Sequence, residues 1–227
     1  AQTLARAMRE PGGAALVFTG AGISTSAGIS DYRGPEGVWT RKAKGLEPVK
    51  GTSITAAEPT FTHLAIVALH ARGLVRCVVS QNVDGLHHES GLDPDRIVEI
   101  HGSIREVECL SCGFRGPMQE TLDRVRSGEA DPPCLMCGDG ILKSATISFG
   151  QNLVYEDLLR AQVAAESCDL ILAVGTTLAV YPIAGVVPAA RSHGAGVVIV
   201  NGSPTEMDHL ADVVVRGSIS ELLPCIC

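Results

Sequence analysis

Two cysteine pairs form the clearest group of residues that can do chemistry together. Cys109 and Cys112 make one C-x-x-C knuckle and Cys134 and Cys137 a second, with 21 residues between them. Gly113 and Gly138 follow the pairs and suit the tight turn of a metal knuckle. Four thiolates at this spacing fit tetrahedral Zn2+, and four protein ligands leave no coordination position open to a substrate. The expectation is one structural Zn2+ ion that orients a module and takes no part in a reaction. Among the other cysteines, Cys77 and Cys168 lie in apolar runs and read as core residues. Cys225 and Cys227 read as a frayed chain end.

A second group recurs in one setting, where a short apolar run ends in small or polar residues. Gly20-Ala21-Gly22-Ile23-Ser24 follows one run. Its glycines can let backbone N–H groups approach a pyrophosphate, with a helix N-terminus behind. Thr25 stands where the dinucleotide fingerprint has a third Gly or Ala, and no acid follows a second run at the usual distance, so a plain tight turn reads equally well. Gln81-Asn82-Val83-Asp84 can fix a carboxamide or ribose hydroxyls, or simply cap a turn. Gly175-Thr176-Thr177 and Asn201-Gly202-Ser203 offer hydroxyl and amide groups for phosphate and ribose, or a helix N-cap. His101-Gly102 ends a further run, and His101 is the candidate general base because imidazole titrates near neutrality. His87 and His88 are its runners-up, while His63 and His70 lie on a helical pattern and read as surface or core residues.

These groups must be positioned by the elements between them. Residues 14–19, 75–80, 97–100, 169–174, 197–200 and 213–215 are rich in Val, Ile and Leu without clean alternation, as strands covered on both faces are. Helical patterns at 58–72, 154–166 and 183–191 alternate with them. In the first, Pro59 and Gly73 mark the two ends and Leu64, Val67 and Ala68 supply an apolar stripe. Strand–helix alternation predicts an α/β fold with a doubly wound parallel sheet, whose strand ends meet in one crevice. Residues 104–146 break the pattern and hold the cysteines, with one short helix at 118–126. Residues 29–57 form a long irregular stretch, of the kind that in a compact domain is either functional or disordered.

The 227 residues allow one large core plus a small insert. A net charge of −7 gives no basis for general nucleic-acid affinity, which needs clustered cations. Arg41, Lys42 and Lys44 come nearest and read as a solvated loop. No apolar run is long enough for a membrane span. No secretory signal is visible, and paired thiols favour a reducing compartment.

Taken in order, the pieces resemble the sirtuins, the NAD-dependent protein deacylases. The matching motifs are GAGIS at 20–24, GISDYR at 28–33, QNVDGLH at 81–87, HG at 101–102, the four cysteines, ISFG at 147–150, GTTL at 175–178 and VN at 200–201. RGPEGVW at 33–39 is similar to the branch of nuclear mono-ADP-ribosylating and deacylating sirtuins. The resemblance implies a Rossmann-like NAD-binding domain over 1–103 and 147–227, with a zinc-binding domain inserted at 104–146. It implies conversion of NAD and an acyl-lysine protein or peptide to nicotinamide, 2′-O-acyl-ADP-ribose and lysine.

The resemblance also implies roles. Gly20, Ala21, Gly22 and Thr25 would lie at the cofactor phosphates. Tyr32 and Arg33 would belong to a cofactor-binding loop that Trp39 helps close. Gln81 would meet a ribose, Asn82 would serve the reacting carbon, and Asp84 would hold the carboxamide. Gly175, Thr177, Asn201 and Ser203 would bind phosphate and ribose, with Ile219 on the adenine. His101 would be the base, and Val83, Ile147 and Phe149 would line the acyl-lysine tunnel. The peptide would add as a strand between 149–151 and 178–181.

Two positions depart from the family pattern. Ser30 replaces a usual Pro, and Gln151 replaces a frequent Glu. No Tyr-x-x-Arg pair follows Trp39, so succinyl specificity is not implied. The rival readings are mono-ADP-ribosyl transfer or NAD hydrolysis, and a non-catalytic NAD or ADP-ribose sensor. A cytoplasmic setting is the default, with a nuclear one as the alternative that the branch offers.

Overall fold

The chain is described by a computed structural model over residues 14–226, and residues 1–13 and Cys227 lie outside the description. Six strands form one parallel sheet. They are β1 (Ala15–Thr19), β2 (Val75–Ser80), β3 (Ile97–Glu99), β7 (Leu170–Val174), β8 (Gly196–Val200) and β9 (Val213–Val215), in the order β3-β2-β1-β7-β8-β9. Every residue of β1 and β7 is buried. The alternation hidden in the sequence appears in the packing. Val17 and Leu172 face one core with Ile66, Leu69 and Ile219. Leu16, Phe18 and Ile171 face the other with Ala161 and Val187. Both faces are apolar because helices cover both.

The helices are α1 (Val38–Ala43), α2 (Phe61–Ala71), α3 (Leu86–Glu89), α4 (Met118–Arg126), α5 (Tyr155–Glu166), α6 (Val186–Ser192) and α7 (Ile219–Leu222). Four expectations need correction. Helix α2 starts after a Thr60–His63 capping box, so Pro59 precedes the cap rather than opening the helix. Most of its expected stripe faces out: Leu64 and Ala68 are exposed and only Val67 packs against the core, while Thr62, His63, Ala65, Ile66 and Leu69 are buried. Arg41 and Lys42 sit on α1 instead of in a loop, and Cys77 is only half-buried. Cys168 is buried as expected.

Residues 102–146 carry a separate antiparallel sheet, β5-β4-β6, from β4 (Gly102–Cys109), β5 (Arg115–Pro117) and β6 (Leu142–Thr146), with α4 between β5 and β6. Among the described residues, no helix is long and apolar enough to cross a membrane.

Candidate active site

The strand order reverses between β1 and β7, and a doubly wound sheet binds ligands at such a reversal, beyond the carboxyl ends of its strands. The chain closes this point by bringing two turns into contact. Gly22 N–H donates to the Gly175 carbonyl at 2.9 Å, and Gly20 N–H to the Val174 carbonyl at 3.1 Å. A Cβ on Gly22 would stand 2.8 Å from Gly175 Cα, and one on Gly20 would stand 2.8 Å from the Gly175 oxygen. Gly175 also holds φ +64°, where a side chain is strained. The contact between turns therefore requires these glycines, whatever they offer a ligand. The expected helix behind them is absent. Two 3-10 turns, Ala21–Ile23 and Thr25–Ala27, follow instead, and Gly28 ends the second in the left-handed region.

A cleft of about 930 Å³ opens around the reversal. Gly20, Ala21, Gly22 and Thr25 line it from the β1 turn, and Tyr32 and Arg33 from the irregular stretch. Gln81, Asn82, Val83 and Asp84 enter after β2, His101 after β3, and Ile147 and Phe149 after β6. Gly175 and Thr177 enter after β7, Asn201 and Ser203 after β8, and Ile219 from α7. Of the residues expected at the cofactor or the acyl-lysine, Trp39 alone is not in the lining. Its ring meets Tyr32 at 5.3 Å and Phe149 at 5.5 Å, and the Arg33 guanidinium lies over it at 4.5 Å. Trp39 thus joins the irregular stretch to the Ile147 and Phe149 wall.

The polar floor is a continuous hydrogen-bond network. Ser24 Oγ–H donates to Asp84 Oδ2 at 2.7 Å and accepts from Asn82 Nδ2 at 3.1 Å. Leu86 N–H donates to Asp84 Oδ1 at 3.0 Å. Gln81 Nε2 donates to Thr176 Oγ1 at 2.8 Å, tying the β2 end to the β7 turn. Asn201 Nδ2 donates to the Ser203 carbonyl at 2.8 Å. Ser24 was assigned no role of its own from sequence, and Thr176 was read only as one of the hydroxyls offered to phosphate or ribose, not as a partner of Gln81. A small hydroxyl just past an apolar strand was the available signal.

His101 Nδ1 lies 2.9 Å from the Gln81 carbonyl. A carbonyl only accepts, so Nδ1 carries the hydrogen and Nε2 remains as the basic nitrogen. Burial lowers the His101 pKa below the ordinary histidine value, partly offset by the Gln81 contact. The ring is therefore neutral, and ready to take a proton, at pH 7. The runners-up are placed elsewhere. His87 is buried against Thr19, and His88 faces Glu99 at 3.6 Å, outside the cleft.

The four knuckle sulfurs lie within 4.8 Å of one another. Cys109–Cys137 and Cys112–Cys134 are both 3.7 Å apart. Sulfurs bound ~2.3 Å from one tetrahedral ion stand about 3.8 Å apart, whereas a disulfide needs ~2.05 Å. The donor set fits zinc and does not fit two disulfides. A backbone N–H, from Ser111, points at Cys109 Sγ at 3.4 Å, as in a metal knuckle.

A parallel sheet reversed at a glycine seam, with a four-thiolate module after its third strand, defines a Rossmann-like α/β protein carrying a zinc-type insert. The Sir2 family model matches residues 47–182, and the chain belongs to the Sir2 family. It is 41% identical over 229 positions to "NAD-dependent protein deacetylase 2" of Streptomyces coelicolor, covering 92% of this chain and 95% of that protein. It is 38% identical over 234 positions to "NAD-dependent protein deacetylase Sirt6" of Drosophila melanogaster, covering 100% of this chain and 74% of that protein. A solved structure described as "Sir2-p53 peptide-NAD+" superposes with TM-score 0.83 at 27% identity, covering 99% of this chain and 96% of that one.

Proposed function

We propose that the protein is an NAD-dependent protein-lysine deacylase, with acetyl-lysine as its first substrate to test. One observation carries the reading: His101 presents a neutral imidazole with Nε2 free, in the same cleft as the Asn82–Ser24–Asp84 network and an apolar wall. Bound NAD supplies an anomeric carbon that nicotinamide can leave and an amide oxygen can attack. The residues around it divide the remaining work. Asp84 and Ser24 hold the carboxamide side, and Asn82 faces the reacting carbon. The β1 and β7 turns take the phosphates, with Arg33 the one Lys or Arg in the described lining. Asn201, Ser203 and Ile219 take the adenosine end. His101 Nε2 removes a proton from a ribose hydroxyl, a step worth ~10²–10⁴ in rate. Val83, Ile147 and Phe149 hold the acyl-lysine, and the peptide backbone lies between 149–151 and 178–181. The deprotonated ribose hydroxyl attacks the imidate carbon, one water adds there as the lysine amine leaves, and the products are nicotinamide, 2′-O-acyl-ADP-ribose and lysine.

In this reading residues 1–103 and 147–227 form the NAD-binding domain. Cys109, Cys112, Cys134 and Cys137 hold one Zn2+ that stabilises the 104–146 insert without entering the reaction. A cytoplasmic setting, with protein substrates rather than nucleic acid or membrane as partners, agrees with unpaired thiols and the net charge of −7. The test is mass spectrometry of products from the purified protein with NAD and an acetyl-lysine peptide. O-acetyl-ADP-ribose together with free lysine peptide is expected. Nicotinamide release without deacetylation would replace this reading with ADP-ribosyl transfer or NAD hydrolysis.

A further inference from the structure

Next to Asp84 the protein buries a polar patch that lies outside the cleft lining. His63 on α2 and His87 on α3 are 0% and 2% exposed, and their rings meet edge to face with centroids 4.8 Å apart. Each ring is anchored at one nitrogen only. Thr60 N–H donates to His63 Nδ1 at 3.2 Å, and Thr60 Oγ1 lies 2.8 Å from the same nitrogen. His87 Nε2 meets Thr19 Oγ1, at the end of β1, at 3.0 Å. The opposite nitrogens, His63 Nε2 and His87 Nδ1, have no hydrogen-bond partner among the described residues. Burying polar groups without partners is costly. Two such groups on touching rings, where Phe or Leu would fill the space, require a reason.

The surroundings supply one. Asp84 is buried and enters no ion pair among the described residues, and its charge reaches His63. Thr60, which anchors His63, also donates Oγ1–H to the Ile23 carbonyl at 3.0 Å, beside Ser24. Asp84 in turn accepts from Leu86, the first residue of α3, the helix that carries His87. The two rings therefore join the end of β1, the Ile23–Ser24 turn and the start of α2 around one carboxylate.

We propose that His63 and His87 are positioning residues for the carboxamide side of the site. The paired neutral rings fix the frame in which Asp84 and Ser24 meet the nicotinamide carboxamide. This rests on the reading of the cleft as the NAD site and extends it to residues that touch no ligand.

Three variants test the pair. His63→Asn keeps an acceptor for the Thr60 N–H and deletes Nε2. His87→Phe keeps a ring and deletes both nitrogens, and His87→Gln restores a partner for Thr19. NAD contains the carboxamide and ADP-ribose lacks it, so calorimetric titration with both separates positioning from general damage. The NAD Kd is expected to rise about tenfold in His63→Asn and His87→Phe, the loss of one supporting interaction. The ADP-ribose Kd should stay within about twofold, and His87→Gln should recover part of the NAD affinity. Unchanged NAD affinity, or a parallel loss of both ligands, would overturn the positioning role. Should His87→Phe fail to fold, His63→Asn decides. Wild-type protein that binds neither ligand would overturn the reading of the cleft, and this inference with it.

Discussion

Between pH 7.5 and pH 4.5 the unfolded chain takes up a proton at residue 63 that the folded chain refuses. His63 is fully buried, and burial lowers its pKa from 6.5 to about 4, with the Asp84 charge opposing only in part. The unfolded state therefore binds more protons across this window. The stability is present above pH ~6.5 and is lost as the pH falls toward ~4. Linking a pKa of 6.5 to one of about 4 costs the folded state about 2.5 kcal/mol by pH 4.5. That is a large share of a typical stability of about 5–15 kcal/mol. His87 is also held well below 6.5 by burial and acts in the same direction. Urea unfolding of wild type and His63→Asn, followed by circular dichroism at both pH values, measures the effect. Wild type should lose about 2–3 kcal/mol more than the variant on acidification, because carboxylate terms common to both cancel. Equal losses in the two proteins would show that residue 63 is not held neutral by the fold, and would refute the reasoning.

His101→Ala should lower deacylation by ~10²–10⁴ while NAD affinity stays within about twofold, and normal turnover would remove His101 from its role. Because burial lowers the His101 pKa, the acid limb of kcat/KM should fall below pH ~6.5; a limb above that value would contradict the geometry. Gly22→Ala places a Cβ 2.8 Å from Gly175 Cα, an atom that cannot rotate away. An overpacking cost of ~1–3 kcal/mol predicts a Tm drop of roughly 2–12 °C by scanning calorimetry, whereas an unchanged Tm would deny the seam. Cys134→Ser should release zinc in metal analysis and expose the 104–146 insert to trypsin, since structural zinc contributes folding free energy. One zinc retained per chain would speak against the four-thiolate site.

Much of the site was legible because a parallel sheet turns scattered motifs into neighbours. Gly20, Gln81, His101, Gly175 and Asn201 are separated by up to 181 positions, yet each follows a strand of one sheet and lines one cleft. No single motif required that outcome. The glycine turn read equally well as a plain turn, and the seam needs its glycines for packing alone: Gly22 is needed by Gly175 and also faces the cleft. The knuckle was legible for a different reason. Its chemistry is local, and two C-x-x-C spacings nearly fix the sulfur positions.

Helix α2 was misread because its inward face is not its most apolar one. Leu64, Val67 and Ala68 form an acceptable stripe on a helical wheel, and periodicity alone favours burying it. The helix instead turns Thr62 and His63 inward beside Ala65, Ile66 and Leu69. Thr60 and His63 close its capping box against the Ile23 carbonyl, which fixes the helix rotation and leaves Leu64 48% exposed. Hydrophobic pattern finds the face that a core would choose, and here the site's polar surroundings choose first. The same cause hides Ser24, whose hydroxyl has value only once Asn82 and Asp84 stand on either side of it. Residues that build a buried polar floor are chosen by partners far away in sequence, so a window along the chain does not register them.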